Sequence, residues 1–567
     1  MASPTLAENP DPIERLLPTR VGDDARTALG PLAEGRAERV TYGELRKRVI
    51  ALSSALIEEG LAPGERVALL GESRPEWVIA FLAVLRSGAV AVPLDPRWTP
   101  PEIARVLTDA SPRLVFAGPR SLDDAKRAAQ ACGLERLVAL DSSVPSGIPA
   151  LEGLQPRATR AAPLRSEREA ALLATTSGTT GRPRGAMLSL QTLVFETRSL
   201  GRALGLSRDD VFLSMLPVHH LFELVAGHLS ALAAGARIVY CDSFLPEEVA
   251  AAARREGATR GLSVPLFLKL FRRAIESEVR RAAPPQAQSL AAALDRARRT
   301  RSTARRRALL QGLWTRLDIP SLSFFSGGAP LDRDTEEFFE LIGWPVFSGY
   351  GLSETGPVIS TNTPDARKPG SVGRALPGVE VRIAEARRPG DVGEILTRGP
   401  HVMLGYDGEL ERARDLLGDG GWFATGDLGW LDREGFLHVS GRLKTTLVLE
   451  SGKKVQPEEV EAALANSPAL EEVCVFGRPA GPGLAGACER VEVAVVPVRE
   501  LRESCAGDEE RLRAEVLEAI ERSATDLASY KRPARVHLLG GALPRSSTGK
   551  VQRAILIRRI EEKEERS

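Results

Sequence analysis

Helical and strand signals take turns from Thr41 onward, and this alternation restricts the chain more than any other feature. Tyr42 to Glu59 carries apolar residues at helical spacing, Arg66 to Leu70 is a short apolar strand, and Trp77 to Arg86 is helical again. A strand at Gly88 to Leu94, a helix at Pro101 to Ala110 and a strand at Leu114 to Ala117 continue the rhythm. The order implies βαβ units and a parallel sheet. No repeat at a period of roughly 20 to 50 residues is present, which argues against a solenoid. Two long apolar stretches, Val78 to Leu94 and Leu224 to Tyr240, are interrupted by Arg86 and by His228 and Arg237. Both fall short of the ~20 clean residues a spanning helix needs, so buried helices and strands are expected there.

At 567 residues the chain has room for two to four domains of roughly 100 to 200 residues each. Hydrophobic residues make up 43% and charged ones 27%, a globular profile that excludes a disordered or fibrous chain. Basic and acidic residues number 76 and 75, so no global field draws nucleic acid or an anionic membrane, and nucleic acid is not an expected partner. One segment departs from this balance. Between Arg272 and Arg316 stand twelve arginines against Glu276, Glu278 and Asp295. Two readings stay open: a solvated helical insertion, or a patch that meets anionic lipid headgroups or an acidic partner.

Five scattered cysteines without a Cys-x-x-Cys pair disfavour a disulfide framework and a cysteine zinc site. The first residues lack the basic start and apolar run of a signal peptide. A cytoplasmic location is expected, with the inner membrane surface as the alternative if the basic segment binds lipid. Oligomeric state leaves no signal in the sequence.

Four strings carry chemistry. Thr175-Thr176-Ser177-Gly178-Thr179-Thr180-Gly181-Arg182-Pro183-Arg184-Gly185 follows an apolar strand and holds three glycines, five hydroxyl residues and two arginines. Such a loop offers backbone N–H groups, hydroxyls and guanidinium to a polyphosphate, yet it does not match the P-loop pattern. Ser348-Gly349-Tyr350-Gly351-Leu352-Ser353-Glu354 places an aromatic between glycines, suited to stacking on a base, and a carboxylate suited to Mg²⁺. Upstream, Phe324-Phe325-Ser326-Gly327-Gly328-Ala329 is a strand running into a small-residue turn, where backbone can lie beside a nucleotide or an acyl chain. Trp422 to Leu428 offers Asp427, which can accept two hydrogen bonds from ribose hydroxyls. Leu543 to Lys550 is a polar loop ending in a lysine.

In this order the strings resemble the adenylate-forming superfamily of acyl-CoA synthetases, peptide synthetase adenylation domains and luciferases. The resemblance runs from about Tyr42 to Lys550, and Phe325 to Leu331, Gly343 to Val346 and Tyr350 to Ser360 look most like long-chain fatty acid–CoA ligases. It implies an α/β fold: a large N-terminal domain of stacked α/β sheets with a β-barrel-like portion, residues 1–441, and a small mobile C-terminal α+β domain, residues 442–567. ATP would bind between them. A hairpin turning at Glu434-Gly435, and strand and helix signals after Lys444, agree with that division.

The resemblance also assigns roles. Thr176 to Gly185, including Ser177, Gly178, Thr179, Thr180, Gly181 and Arg184, would cover the β and γ phosphates. Gly327, Gly328, Ala329, Gly349, Gly351 and Ser353 would line the nucleotide, with Tyr350 stacking on adenine. Glu354 would hold Mg²⁺, and Asp427 and Arg442 the ribose. Lys550 would bridge the substrate carboxylate and the α-phosphate, offsetting the negative charge that gathers as one anion attacks another. Thr180, Arg184, Glu354 and Lys550 form the implied catalytic set, Lys444 the hinge, and Gly452 the close approach of coenzyme A. Leu216 to Glu223 matches the segment beside the acyl pocket, with His220 at its usual histidine position, Gly328 facing it, and His219 extra. Arg184 stands where lysine is usual, and Ser353 where threonine is. The implied reaction takes a medium- or long-chain fatty acid, MgATP and coenzyme A to acyl-AMP and then a thioester. An acyl carrier protein as acceptor, docked on the basic 272–316 segment, and a non-catalytic scaffold remain the alternatives.

Overall fold

The computed structural model describes residues 11–18, 24–30, 39–141, 147–163, 165–176, 184–281, 284–300, 305–306, 308–311, 313, 322–410, 416–418, 420–449, 453–465, 467–479, 489–545 and 551–565. The expected alternation is present. Thr41 caps the helix Tyr42–Glu58 by accepting from the Glu44 N–H at 3.2 Å, while Glu44 accepts from the Thr41 N–H at 3.4 Å. Strand Arg66–Leu70 follows, then helix Pro75–Arg86 and strand Val90–Leu94.

Two large sheets result. One has seven strands, in the order Gly405–Tyr406, Arg184–Ser189, Ala170–Thr176, Val90–Leu94, Arg66–Leu70, Leu114–Ala117 and Leu137–Ala139. The other has nine, and in it Val346–Tyr350, Ser323–Ser326, Arg260–Ser263, Val211–Ser214 and Arg237–Tyr240 run parallel side by side. Alternate residues of these strands feed different cores. Val67, Leu69 and Phe116 meet Phe212, Ile238, Leu262 and Phe325 in the main core, which also takes in helices Pro75–Arg86 and Leu190–Ala203. Ala68, Leu70 and Val115 face a second core, and Leu213, Val239 and Phe324 a third. Strands buried on both faces explain the near-continuous apolar runs in the sequence.

Arg86, which breaks one of those runs, is buried; its guanidinium meets Asp11 at 2.7 Å, Ser53 at 2.8 Å and the Arg160 carbonyl at 3.1 Å. Among the described residues no helix is long and apolar enough to cross a membrane. Helix Pro265–Arg281 of the basic segment buries Phe267, Leu268, Phe271, Ile275 and Val279 at helical spacing, and leaves Arg273, Arg280 and Arg281 exposed.

The barrel-like portion is a five-stranded antiparallel sheet built on strand Trp422–Leu431, which pairs with Gly393–Arg398, Leu417–Gly418 and Leu437–Arg442. Beyond it, strands Leu470–Pro479, Glu489–Pro497 and Arg535–Leu538 form a separate three-stranded sheet. Helices Pro457–Leu464 and Glu509–Ser523 pack through one apolar cluster, and helix Arg553–Glu565 through another.

Gly373 shows how closely the chain passes itself. Its φ is +81°, and a Cβ there would overlap the Thr361 carbonyl group. Gly373→Ala should cost about 3 kcal/mol in urea unfolding, at the upper end of overpacking losses. A variant as stable as the parent would show that this crossing is looser than described.

Candidate active site

The carboxyl ends of two adjacent parallel strands, Ser323–Ser326 and Val346–Tyr350, open onto one place, the usual ligand position of such sheets. The chain leaves the first through Gly327 and Gly328; a Cβ on Gly327 would press on the Phe222 ring at 3.1 Å, and Gly328 has φ +84°. It leaves the second through Gly351, where any side chain would collide with the Pro357 carbonyl. A 3₁₀ turn, Ser353–Thr355, follows and sets Glu354 beside the opening.

Tyr350 donates its hydroxyl to Asp427 Oδ2 at 2.7 Å, and Arg442 Nε meets Oδ1 at 3.0 Å. Asp427 and Arg442 are register partners on neighbouring antiparallel strands. Asp427 is only 4% exposed, whereas Arg442 reaches solvent. Burial, and then the Asp427 charge, hold the Tyr350 phenol well above its usual range, so it stays a neutral donor. Each carboxylate oxygen keeps a lone pair that a ribose hydroxyl can use.

Glu354 Oε1 accepts from the Tyr406 hydroxyl at 2.9 Å, and the Glu354 carbonyl accepts from the Met403 N–H at 2.9 Å. Tyr406 lies on the strand paired with Arg184–Ser189, opposite Ala186. Thr176 and Arg184 are themselves register partners, so one end of the loop between them is anchored on the strand beside Tyr406 and the other on the next strand in. Ser177, Gly178, Thr179, Thr180 and Gly181 of that loop lie outside the described residues, as do Gly452 and Lys550. A hard carboxylate that leaves Oε2 available suits Mg²⁺, which binds through one or two carboxylates and substrate phosphates.

Behind the glycine turns Leu200, Phe222, Ala226, Leu262, Phe325 and Val358 close on an apolar void of only about 10 Å³. Phe222 opens the π-helix Phe222–Leu229, an irregular form common at functional sites. His220 stands two residues before Phe222 and packs against His219 with ring centroids 4.1 Å apart; Gly328 stands two residues after Ser326, which also lines the cavity. Ala329 is exposed in the same turn, Gly349 lines the cavity floor, and Lys444 is exposed in the 3₁₀ turn Leu443–Thr445.

Tyr406 and Phe222 were not singled out by sequence reasoning, since Tyr406 belongs to no motif and Phe222 reads as one more apolar residue of a helix. Glu223 and His228 of the π-helix are fully buried, and burial pushes the Glu223 carboxyl up to about 8 and the His228 imidazole down to about 4.

Residues 22–407 match the AMP-binding enzyme family, and residues 459–550 match the AMP-binding enzyme C-terminal domain. The chain belongs to the AMP-binding enzyme family. Among its relatives, an indoleacetate–CoA ligase of Aromatoleum aromaticum is 33% identical over 91% of this chain and 92% of its own. The long-chain-fatty-acid–CoA ligase FadD13 of Mycobacterium tuberculosis is 26% identical over 91% and 92%. The crystal structure of ATP-bound MatB from Rhodopseudomonas palustris is similar at a TM-score of 0.76 and 29% identity, over 96% of this chain and 98% of that one. This AMP-binding enzyme is thus an acid–CoA ligase that works through adenylation and uses ATP, Mg²⁺ and CoA.

Tyr350→Phe removes one of the two partners of a buried carboxylate. Its kcat/KM for ATP should fall about tenfold, the equivalent of one hydrogen bond to a charged group, with thermal stability as the control; an unchanged value would remove Tyr350 from nucleotide binding. Glu223 gives a pH test. Its folded pKa lies above the ordinary 4.5, so the unfolded chain loses the proton first and stability declines as pH rises from about 4.5 towards about 8. Glu223→Gln should lose that decline, so its stability relative to the parent should improve across this window in urea titrations and level off above it. A pH-independent difference would show that Glu223 ionises normally in the fold.

Proposed function

We propose that this ligase activates an apolar carboxylic acid, a medium- or long-chain fatty acid or an aryl acid, and transfers the acyl group to coenzyme A. The observation that carries the proposal is the apolar wall of Leu200, Phe222, Ala226, Leu262, Phe325 and Val358 beside Gly349. Such a wall favours a hydrocarbon or aryl body over a charged one. The indoleacetate and long-chain fatty acid named for its two relatives bracket that range of apolar acids.

In this reading the chain divides after Gly441. Residues 442–567 rotate about the Arg442–Lys444 turn, Lys550 serves adenylation, and the segment at Gly452 serves thioester formation. The residues' work is positional. Tyr350, Asp427 and Arg442 hold the nucleoside, Glu354 and the loop from Thr176 to Arg184 the phosphates, and the cavity excludes water from the acid. Mg²⁺ supplies charge neutralisation on the phosphates when bound.

A second reading has an acyl carrier protein as acceptor, supported by the outward arginines of helix Pro265–Arg281. Pyrophosphate release from MgATP, measured across acids from acetate to stearate and across aryl acids, with CoA or carrier protein, tests both. Release should be fastest with apolar fatty or aryl acids, slow with acetate, and turn over only with CoA. Release that peaks with acetate would refute the apolar-wall reading, and turnover only with carrier protein, weakened steeply by salt, would select the second. Lys550→Ala should abolish acyl-AMP formation while leaving thioester formation from supplied acyl-AMP largely intact; equal loss of both steps would contradict its role.

A further inference from the structure

We propose that Asp95, His219 and His220 form a binding site for a divalent transition ion of borderline softness, such as Zn²⁺, separate from the Mg²⁺ carboxylate Glu354. Asp95 follows strand Val90–Leu94 of the seven-stranded sheet and is 3% exposed. His219 and His220 lie in the turn that leads into the π-helix Phe222–Leu229. One ligand atom from each of the three residues lies within 4.8 Å of the other two. A tetrahedral ion with bonds of about 2.0–2.1 Å sets its ligands roughly 3.4 Å apart, a contraction within reach of side-chain rotation.

The His219 ring supplies the second observation. Its side chain is 5% exposed, its Nε2 stops 3.6 Å from Asp95 Oδ2, and neither ring nitrogen makes a hydrogen bond among the described residues. A buried imidazole aimed at a carboxylate yet hydrogen-bonded to nothing calls for a missing partner. Asp95 is oriented from behind, because Oδ1 accepts from the Arg97 N–H at 3.0 Å and from its guanidinium at 3.2 Å, leaving Oδ2 on the histidine side.

Two imidazoles and one carboxylate match Zn²⁺ or Co²⁺ and not the oxygen-only sets of Mg²⁺ and Ca²⁺. Three protein ligands leave a fourth position open. An ion held here ties the seven-stranded sheet to the segment that carries Phe222, the wall of the acid cavity.

Titration of the full chain with Co²⁺, in the absence of ATP and Mg²⁺, tests the site through visible d–d absorption. The parent and Glu354→Gln should each take up one equivalent with the intense bands of a low-coordinate nitrogen–oxygen site, and Zn²⁺ should displace it. His219→Ala and Asp95→Asn, checked for folding by circular dichroism, should bind at least ~100-fold more weakly. Bands unchanged in folded His219→Ala, a thiolate charge-transfer band placing the ion on a cysteine, or a folded parent that takes up no Co²⁺ would each overturn the proposal.

Discussion

A buried carboxylate is tolerated only where charge and hydrogen bonds answer it, and Asp427 imposes that condition on the whole site. Its two partners come from different parts of the fold: Tyr350 ends a parallel strand of the nine-stranded sheet, and Arg442 ends an antiparallel strand beside Asp427 itself. Both sheets must therefore be in place, and in register, before the carboxylate is satisfied. A slip of one residue between Trp422–Leu431 and Leu437–Arg442 would turn Arg442 to the opposite face. The turn of that hairpin is pinned accordingly. Asp432 Oδ1 accepts from the Glu434 and Phe436 N–H groups, and Lys368 meets both Asp432 and Glu434 at 2.7 Å.

The third sheet joins through Glu354 and Tyr406. That contact brings Glu354 next to the strand that begins at Arg184, so Thr176 and Arg184, Glu354, and the Tyr350–Asp427–Arg442 cluster are joined across three sheets. Gly349 lines the apolar void, and a Cβ on Gly327 would press on its Phe222 wall. Without side chains at these positions the backbone lies close to its neighbours.

The sequence was most legible where one element carries its own signal. The strands Arg66–Leu70 and Leu114–Ala117 were readable to the residue, because apolar runs buried on both faces stand out between amphipathic helices. The strings around Tyr350, Glu354 and Asp427 were legible as chemistry, because glycines and carboxylates cluster there. What sequence could not supply were partners far apart in the chain. Arg86 read as a break in an apolar run, and only folding brings Asp11 and Ser53 to it. Likewise His401 meets Thr397 at 2.8 Å and His537 meets Glu492 at 2.7 Å, although no pattern joins His537 to its partner. His219 read as an extra histidine until Asp95, just past a strand of the seven-stranded sheet, came to stand beside it.

Adenylation requires that the substrate carboxylate attack the α-phosphate of ATP. Turnover with an apolar acid labelled with oxygen-18 in its carboxylate, followed by mass spectrometry of the products, tests it directly. One labelled oxygen should appear in AMP and none in pyrophosphate. Label in inorganic phosphate with ADP as the nucleotide product, or unlabelled AMP alongside thioester, would contradict the account.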